Sequence, residues 1–355
     1  MGSRPPTALI AKRNWLPVFV QHSYGLMSHN TTRESWRALA ARHQRASTGR
    51  ASWQIVNSVC LYLALWCAMA WTIRVSWWLT MPLVVLAAGI FIRVFIIFHD
   101  CGHGSFFRTA KANNVWGFLT GVLTFTPYQH WRRVHAIHHG TTGNLDSRGI
   151  GDVWTMTVQE YESATPSRRF AYRVARSPFV LLLIAPSLMF IFEHRLPRSG
   201  AGPRERRSVW LTNLCLLAFA SLMTLVIGLL PFLVIQVTII ALAGAVGVWL
   251  FYSQHQFEGA YWRRTSDWSH NDAALRGSAF LKLPRWAQWI TGNIGFHHIH
   301  HLDSRIPNYR LQECHESLQL DNEVSPLTIF RSLCAFGLKL WDEANGRLVR
   351  FRQSS

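Results

Sequence analysis

The chain has 355 residues, of which 49% are apolar and only 15% charged, with 17 tryptophans and a net charge of +18. Almost all of the positive charge is arginine, since Lys12, Lys111, Lys282 and Lys339 are the only lysines. Such a balance fits either a nucleic acid or an anionic membrane surface. No nucleic-acid motif is present and the arginines flank long apolar runs, so the nucleic-acid class is excluded and a membrane is implied.

Residues 1–50 read as a basic, cytoplasmic N-terminal segment. Its start, Met1 to Pro6, lacks the apolar core and cleavage site of a signal peptide, and Pro6 stands where myristoylation requires Ser or Thr. Arg33 to Arg50 is a candidate interfacial helix with Trp36 and Leu39 on its apolar side. Four runs then approach the roughly 20 residues that cross a bilayer as a helix. They are Ile55–Thr72, Leu79–Phe98, Val209–Leu229 and Pro231–Tyr252. Pro82 falls in the first turn of the second run and Pro231 starts the fourth, positions where a missing N–H costs little. Trp116–Pro127 and Pro178–Phe192 are shorter and read as re-entrant or interfacial. The fold class expected is an all-α integral membrane protein of four transmembrane helices in two hairpins with a cytoplasmic helical cap. The membrane domain spans 51–320, and 321–355 holds an amphipathic helix and tail. That helix would start at Ser325-Pro326, with Phe330, Leu333, Cys334, Gly337 and Trp341 on one face.

Only Arg74 would lie on the far side of the bilayer, so the positive-inside rule puts both termini in the cytoplasm. The arginine-rich composition points to a bacterial inner membrane. Cys60, Cys67, Cys101, Cys215, Cys314 and Cys334 form no CxxC pair, and no disulfide framework is expected.

Ten of the 17 histidines fall in three short segments. The first is His99-Asp100-Cys101-Gly102-His103, directly at the end of the second apolar run. The second runs from His130 to His139 and the third from His297 to His301. H-x-x-H-H occurs twice, starting at His135 and at His297. Imidazoles three and four residues apart share one helix face. A bare cluster would repel itself on protonation, whereas a cation holds it neutral. His99, His103, His135, His138, His139, His297, His300 and His301 are too many for one zinc and suit a pair of metals of higher coordination number. Imidazole serves Fe, Zn and Cu alike, so ligand type does not choose the metal. His255, just past the fourth run, is a ninth candidate. His130, His270 and His298 lie off the repeated spacing, and His22, His29, His43, His194 and His315 read as ordinary interfacial or hydrogen-bonded residues. A histidine-lined transport pathway is disfavoured because the clusters begin where the spans end. If only one of the two short apolar stretches crossed, the first and third segments would be on opposite sides of the bilayer.

The three segments resemble, in order and spacing, the histidine boxes of the membrane fatty acid desaturase superfamily. HDCGHGSFF (99–107), the stretch 135–161 and TGNIGFHHIHHLDSRIPNYRL (291–311) are similar to the branch containing Δ12/ω-6-type acyl desaturases. The resemblance covers approximately residues 50–320 and implies an O₂-dependent reaction at two Fe ions (Fe2+/Fe3+), inserting a cis double bond into a fatty acyl lipid or acyl thioester. Two electrons and two protons are consumed. No His-Pro-Gly-Gly segment of a fused cytochrome b5 domain occurs, so a separate donor of ferredoxin or cytochrome b5 type is implied. An acyl hydroxylase, epoxygenase or acetylenase would use the same site. Asp100 is a candidate for orienting a ligand imidazole, and Arg132 and Arg133 are ordinary juxtamembrane charges that could also meet a phosphate or an acidic donor.

Overall fold

A computed structural model describes residues 36–351 apart from 37, 321–323 and 325. The expectations for signal peptide and myristoylation, and for His22, His29 and Ser325, fall outside the described residues. Four helices are long and apolar enough to cross a membrane: α1 (Thr48–Thr72), α2 (Trp77–His103) and, later in the chain, Pro203–Ile227 and Leu229–His255. Each is longer than the apolar run that announces it, because polar caps lie beyond the greasy segment. Ser76 caps α2, its hydroxyl accepting from the Trp78 N–H, and Gly104 ends it in a left-handed conformation at φ 74°. Pro82 is therefore inside α2 rather than in its first turn, and the Trp78 carbonyl loses its helical partner.

The remaining elements follow in chain order. α3 (Ala110–Leu123) and α4 (Tyr128–Thr141) are each too short to span. The strand β1 (Met156–Thr157) leads into α5 (Val158–Ser163), which a capping box between Thr157 and Glu160 starts. α6 (Pro166–Ala175) and α7 (Val180–Arg195) meet at a bend of 61°. α8 (Pro203–Ile227) and α9 (Leu229–His255) join at Gly228, whose φ of 89° requires a glycine, and Pro231 sits in the first turn of α9. Short helices α10 (His270–Arg276), α11 (Arg285–Ile290), α12 (His297–Leu302), α13 (Leu311–Leu318) and α14 (Ile329–Cys334) complete the helical part.

One apolar core joins α1, α2 and α9 through Tyr62, Trp66, Phe91, Ile235 and Ile239. The outer faces stay uncovered: only 17% of the most apolar window of α8 is buried, and Leu225 is 85% exposed. Helices that greasy on the outside are stable only where lipid replaces water. Arg93 is a charged residue within the apolar stretch of α2. It donates through Nε to Ser58 Oγ at 3.0 Å and through Nη1 to the Trp289 carbonyl, with its guanidinium 4.1 Å from the Trp289 ring centre. Ser58 lies in a π-helical turn of α1, Val56–Cys60.

Three further expectations are corrected. The protein is mostly, not wholly, helical: β1 pairs in parallel with β2 (Leu340–Asp342), which pairs antiparallel with β3 (Arg347–Val349). The C-terminal segment is not a long amphipathic helix and tail, because α14 ends at Cys334 and Trp341 is a strand residue, 1% exposed. Pairing with β1 and burial of Trp341 against Leu145 and Trp262 outweigh the helical periodicity. Arg176 bolts this segment down, donating to Tyr252 Oη, Gln256 Oε1 and the Leu338 carbonyl at 3.0–3.1 Å. The candidate interfacial helix at 33–50 is interrupted: 38–41 are helical, and a new helix begins at Thr48 behind the Ser47 cap.

Gly121 lets α3 lie close against α2, since a Cβ there would come 2.6 Å from the Thr126 carbonyl oxygen and 3.0 Å from the Phe98 ring. Gly121→Ala is expected to cost about 1–3 kcal/mol through overpacking, read as a lowered Tm in detergent.

Candidate metal centre

The ends of α2 and α9 and the whole of α4 and α12 bring nine imidazoles together. α2 supplies His99 and His103 one turn apart, α4 supplies His135, His138 and His139, α9 ends on His255, and α12 supplies His297, His300 and His301. They form two adjoining sets. His99, His103, His135, His139 and His300 make one; His138, His255 and His301 make the other. His297 joins the second through His255, Nε2 to Nε2 at 2.9 Å. The sets touch where His139 stacks on His301, ring centres 4.1 Å apart and planes within 13°.

The nitrogens point at one another. His99–His135, His135–His139 and His139–His300 approach Nε2 to Nε2 at 3.0, 3.1 and 3.0 Å. Hydrogen bonds cannot satisfy the whole group, because a neutral imidazole carries one N–H. Nε2 of His103, His138 and His301 is buried with no partner among the described residues. A shared cation would supply what is missing. Two nitrogens each ~2.1 Å from one metal are ~3.0 Å apart at a right angle and ~3.4 Å apart at a tetrahedral one. The contacts of 2.9–3.1 Å lie in the range that ligands to one metal adopt.

Outward-facing nitrogens are held by other groups, which fixes the rings and leaves Nε2 free to bind metal. His99 Nδ1 meets Asp100 Oδ1 at 3.0 Å, His138 Nδ1 meets Asp152 Oδ1 at 2.7 Å, and His255 Nδ1 meets the Gly277 carbonyl at 3.1 Å. Asp100 also accepts from the backbone N–H and Nδ2 of Asn308, at 2.6 and 2.8 Å, so the loop after the third box is fastened to the first. Tyr309 adds a hydroxyl bridge from Ser47 N–H to the Phe106 carbonyl. Trp131 stacks on His135, 4.2 Å between centres. A Cβ at Gly102 would meet the Trp131 ring at 2.9 Å, so the glycine inside the first box makes room for that ring. Burial, followed by the neighbouring imidazoles, pushes His135, His139, His297, His300 and His301 well below the ordinary histidine range. They are neutral at physiological pH, the form that ligates.

The histidines off the repeated spacing lie elsewhere. His298 pairs with His315, Nε2 to Nδ1 at 3.0 Å, beside Phe280. His194 packs edge-on against Phe190, and His270 against Trp268. His130 is buried on α4 near Arg198 and Glu205. Arg133 pairs with Glu205 at 2.9 Å. Sequence reasoning assigned no role to Asp152, Gly277 or Trp131; it read the run Arg305 to Tyr309 as fixing the loop after the third box, and Asn308 does so by donating to Asp100. Asp152 is 14 residues from His138, in a loop without periodicity, and only the fold brings them together.

The profile of the fatty acid desaturase family matches residues 76–329. The chain belongs to the fatty acid desaturase family. A Bacillus subtilis protein named fatty acid desaturase is 44% identical over 299 residues, 84% of this chain and 85% of its own length. A Synechocystis sn-1 oleoyl-lipid 12-desaturase is 27% identical over 68% of this chain and 69% of its own. A chloroplastic sn-2 acyl-lipid omega-3 desaturase (ferredoxin) of Helianthus annuus is 31% identical over 74% of this chain and 60% of its own. The protein is thus a membrane oxidoreductase of lipid metabolism.

Asp152→Ala leaves His138 without its orienting acceptor and is expected to weaken metal binding 10- to 100-fold, measured as metal per chain after dialysis against a graded chelator.

Proposed function

We propose that this desaturase introduces a cis double bond of Δ12/ω-6 type into a fatty acyl chain at a di-iron centre. The carrying observation is the pair of adjoining nitrogen sets, five imidazoles in one and three plus His297 in the other. His99, His103, His135, His139 and His300 would hold one iron, and His138, His255, His297 and His301 the second. Two irons so held would supply the O₂-dependent removal of two hydrogens from adjacent carbons, with two electrons and two protons consumed. The chain's own task is orientation and exclusion of water. Asp100, Asp152 and the Gly277 carbonyl hold the ring nitrogens, and the buried setting keeps the imidazoles unprotonated. The Δ12/ω-6 position is supported by the stretches around the boxes and by the Synechocystis 12-desaturase. A separate ferredoxin as electron donor is supported by the name of the Helianthus relative.

We also infer the topology of two hairpins with both termini and the histidine cap in the cytoplasm, in a bacterial inner membrane. Arg74, in the turn between α1 and α2, donates to the Val226 carbonyl at 2.9 Å, which supports both connecting turns lying at the end away from the histidines. The meeting of the three boxes in one cluster requires an even number of crossings. The bent pair α6 and α7 would then be a re-entrant or interfacial element rather than a fifth span.

Expression in a bacterium without polyunsaturated lipids, followed by mass spectrometry of its fatty acids, tests the reaction. A new dienoic acid is expected from the wild type and none from the double variant His138→Ala, His300→Ala. A hydroxylated or epoxidised product would keep the metal centre and replace the reaction. His255→Ala is expected to fold, to retain about one iron of the ~2 held by a di-iron site, and to lose desaturation; retention of both irons would remove His255 from the ligand set.

A further inference from the structure

We propose that a pocket beside the second histidine set binds a phosphate ester, the group that carries the acyl chain, through Arg276, Arg331 and Arg350. The proposal rests on the acyl desaturase reading above. The pocket is an open groove of about 520 Å³ between the end of α10, the loop after α9 and the C-terminal segment, and the three arginines on its walls are exposed. None of the three guanidiniums has an ion pair among the described residues, and Glu258 is the one described carboxylate in the lining. Ser278 also lines it, but its side chain is fully buried. A Cβ at Gly337 would come 3.2 Å from Arg350 Nε, so that glycine lets the guanidinium lie against the C-terminal turn. Guanidinium forks match phosphate oxygens in geometry as well as charge.

Position ties the pocket to both lipid and metal centre. α14, which carries Arg331, leaves Ile329, Phe330 and Leu333 exposed at 41, 76 and 54%. Trp249 Nε1 donates to Ser332 Oγ at 3.0 Å, pinning α14 beside α9. That contact lies six residues before His255, or ~9 Å along the helix. α14 is therefore set at the lipid boundary with its apolar side outward. On the other side, Gly277 accepts from His255 Nδ1 at 3.1 Å and is the chain neighbour of both Arg276 and Ser278. One strip of backbone thus supports the metal centre and lines the pocket. An anionic head held there would start its acyl chain between the apolar surface of α14 and the histidines.

A glycerophospholipid and an acyl-coenzyme A both present a phosphate ester, and binding separates them. Full-length, metal-loaded protein in detergent would be titrated with dihexanoyl-phosphatidylglycerol and with coenzyme A by calorimetry. Wild type would be compared with Arg276→Gln, Arg331→Gln, Arg350→Gln, their triple combination and Arg331→Lys. Each Gln variant is expected to weaken binding ~10-fold and the triple to abolish it, with Arg331→Lys in between. Metal content and gel-filtration elution check folding. Binding of the lipid assigns a glycerolipid as the source, and binding of coenzyme A assigns a thioester. Failure of the wild type to bind either, or binding by a folded triple variant within twofold of wild type, overturns the pocket. The fatty-acid profile is read in parallel. Arginine-dependent binding without any unsaturated product would sink the desaturation reading and leave the pocket standing. Unsaturated product together with arginine-independent binding would do the reverse.

Discussion

The structure depends on gathering nine imidazoles whose Nε2 atoms face one another in a buried space. Adjacent Nε2 atoms are 2.9–3.1 Å apart, too many acceptors for the N–H groups available. Without a shared cation this arrangement is costly, since buried polar atoms left unpaired lose their hydration for nothing. Much of the surrounding architecture serves to hold it. α2 and α9 must end at the same level, α4 must lie across them, and α12 must close the far side. The carboxylates of Asp100 and Asp152 face outward nitrogens rather than the centre, which leaves the inner shell to nitrogen.

Around that centre the chain divides its labour by solvent. Below it the spans pack on one another through Tyr62, Trp66, Phe91 and Ile239 and leave their outer faces bare, an arrangement stable in lipid. Above it, stability comes from hydrogen-bonded fasteners that join distant segments. Asn308 reaches Asp100, Tyr309 reaches Ser47 and Phe106, and Arg176 reaches Tyr252, Gln256 and Leu338. The loop after the third box and the C-terminal segment are held by such contacts, which suits a site that must keep one geometry.

Much of this was legible in the chain itself. Four apolar runs, each close to the length of a bilayer crossing, fixed the number of long helices, because hydropathy over ~20 residues is a local property. The i, i+3, i+4 spacing of His135, His138 and His139 and of His297, His300 and His301 marked each triplet as one helix face. Spacing also set off His298, which pairs with His315 instead. Pro82 was misplaced because a hydropathy run begins later than the helix that Ser76 caps. The C-terminal segment misled for a different reason: its period of apolar residues is helical, but Trp341 is claimed by pairing with β1, some 185 residues earlier in the chain.

Sequence alone determined the membrane setting and singled out the eight box histidines that the fold gathers, since composition, period and local spacing are written within one or two helical turns. Tertiary structure alone decided how those histidines divide into two sets, that His255 sits in the second, that Asp152 and Gly277 hold the rings, and that Asn308 fastens its loop to Asp100. It also decided that Arg276, Arg331 and Arg350 share one pocket. Each of these is a contact between segments far apart in the chain, and no local pattern encodes which distant carboxylate, carbonyl or guanidinium a fold will bring within 3 Å.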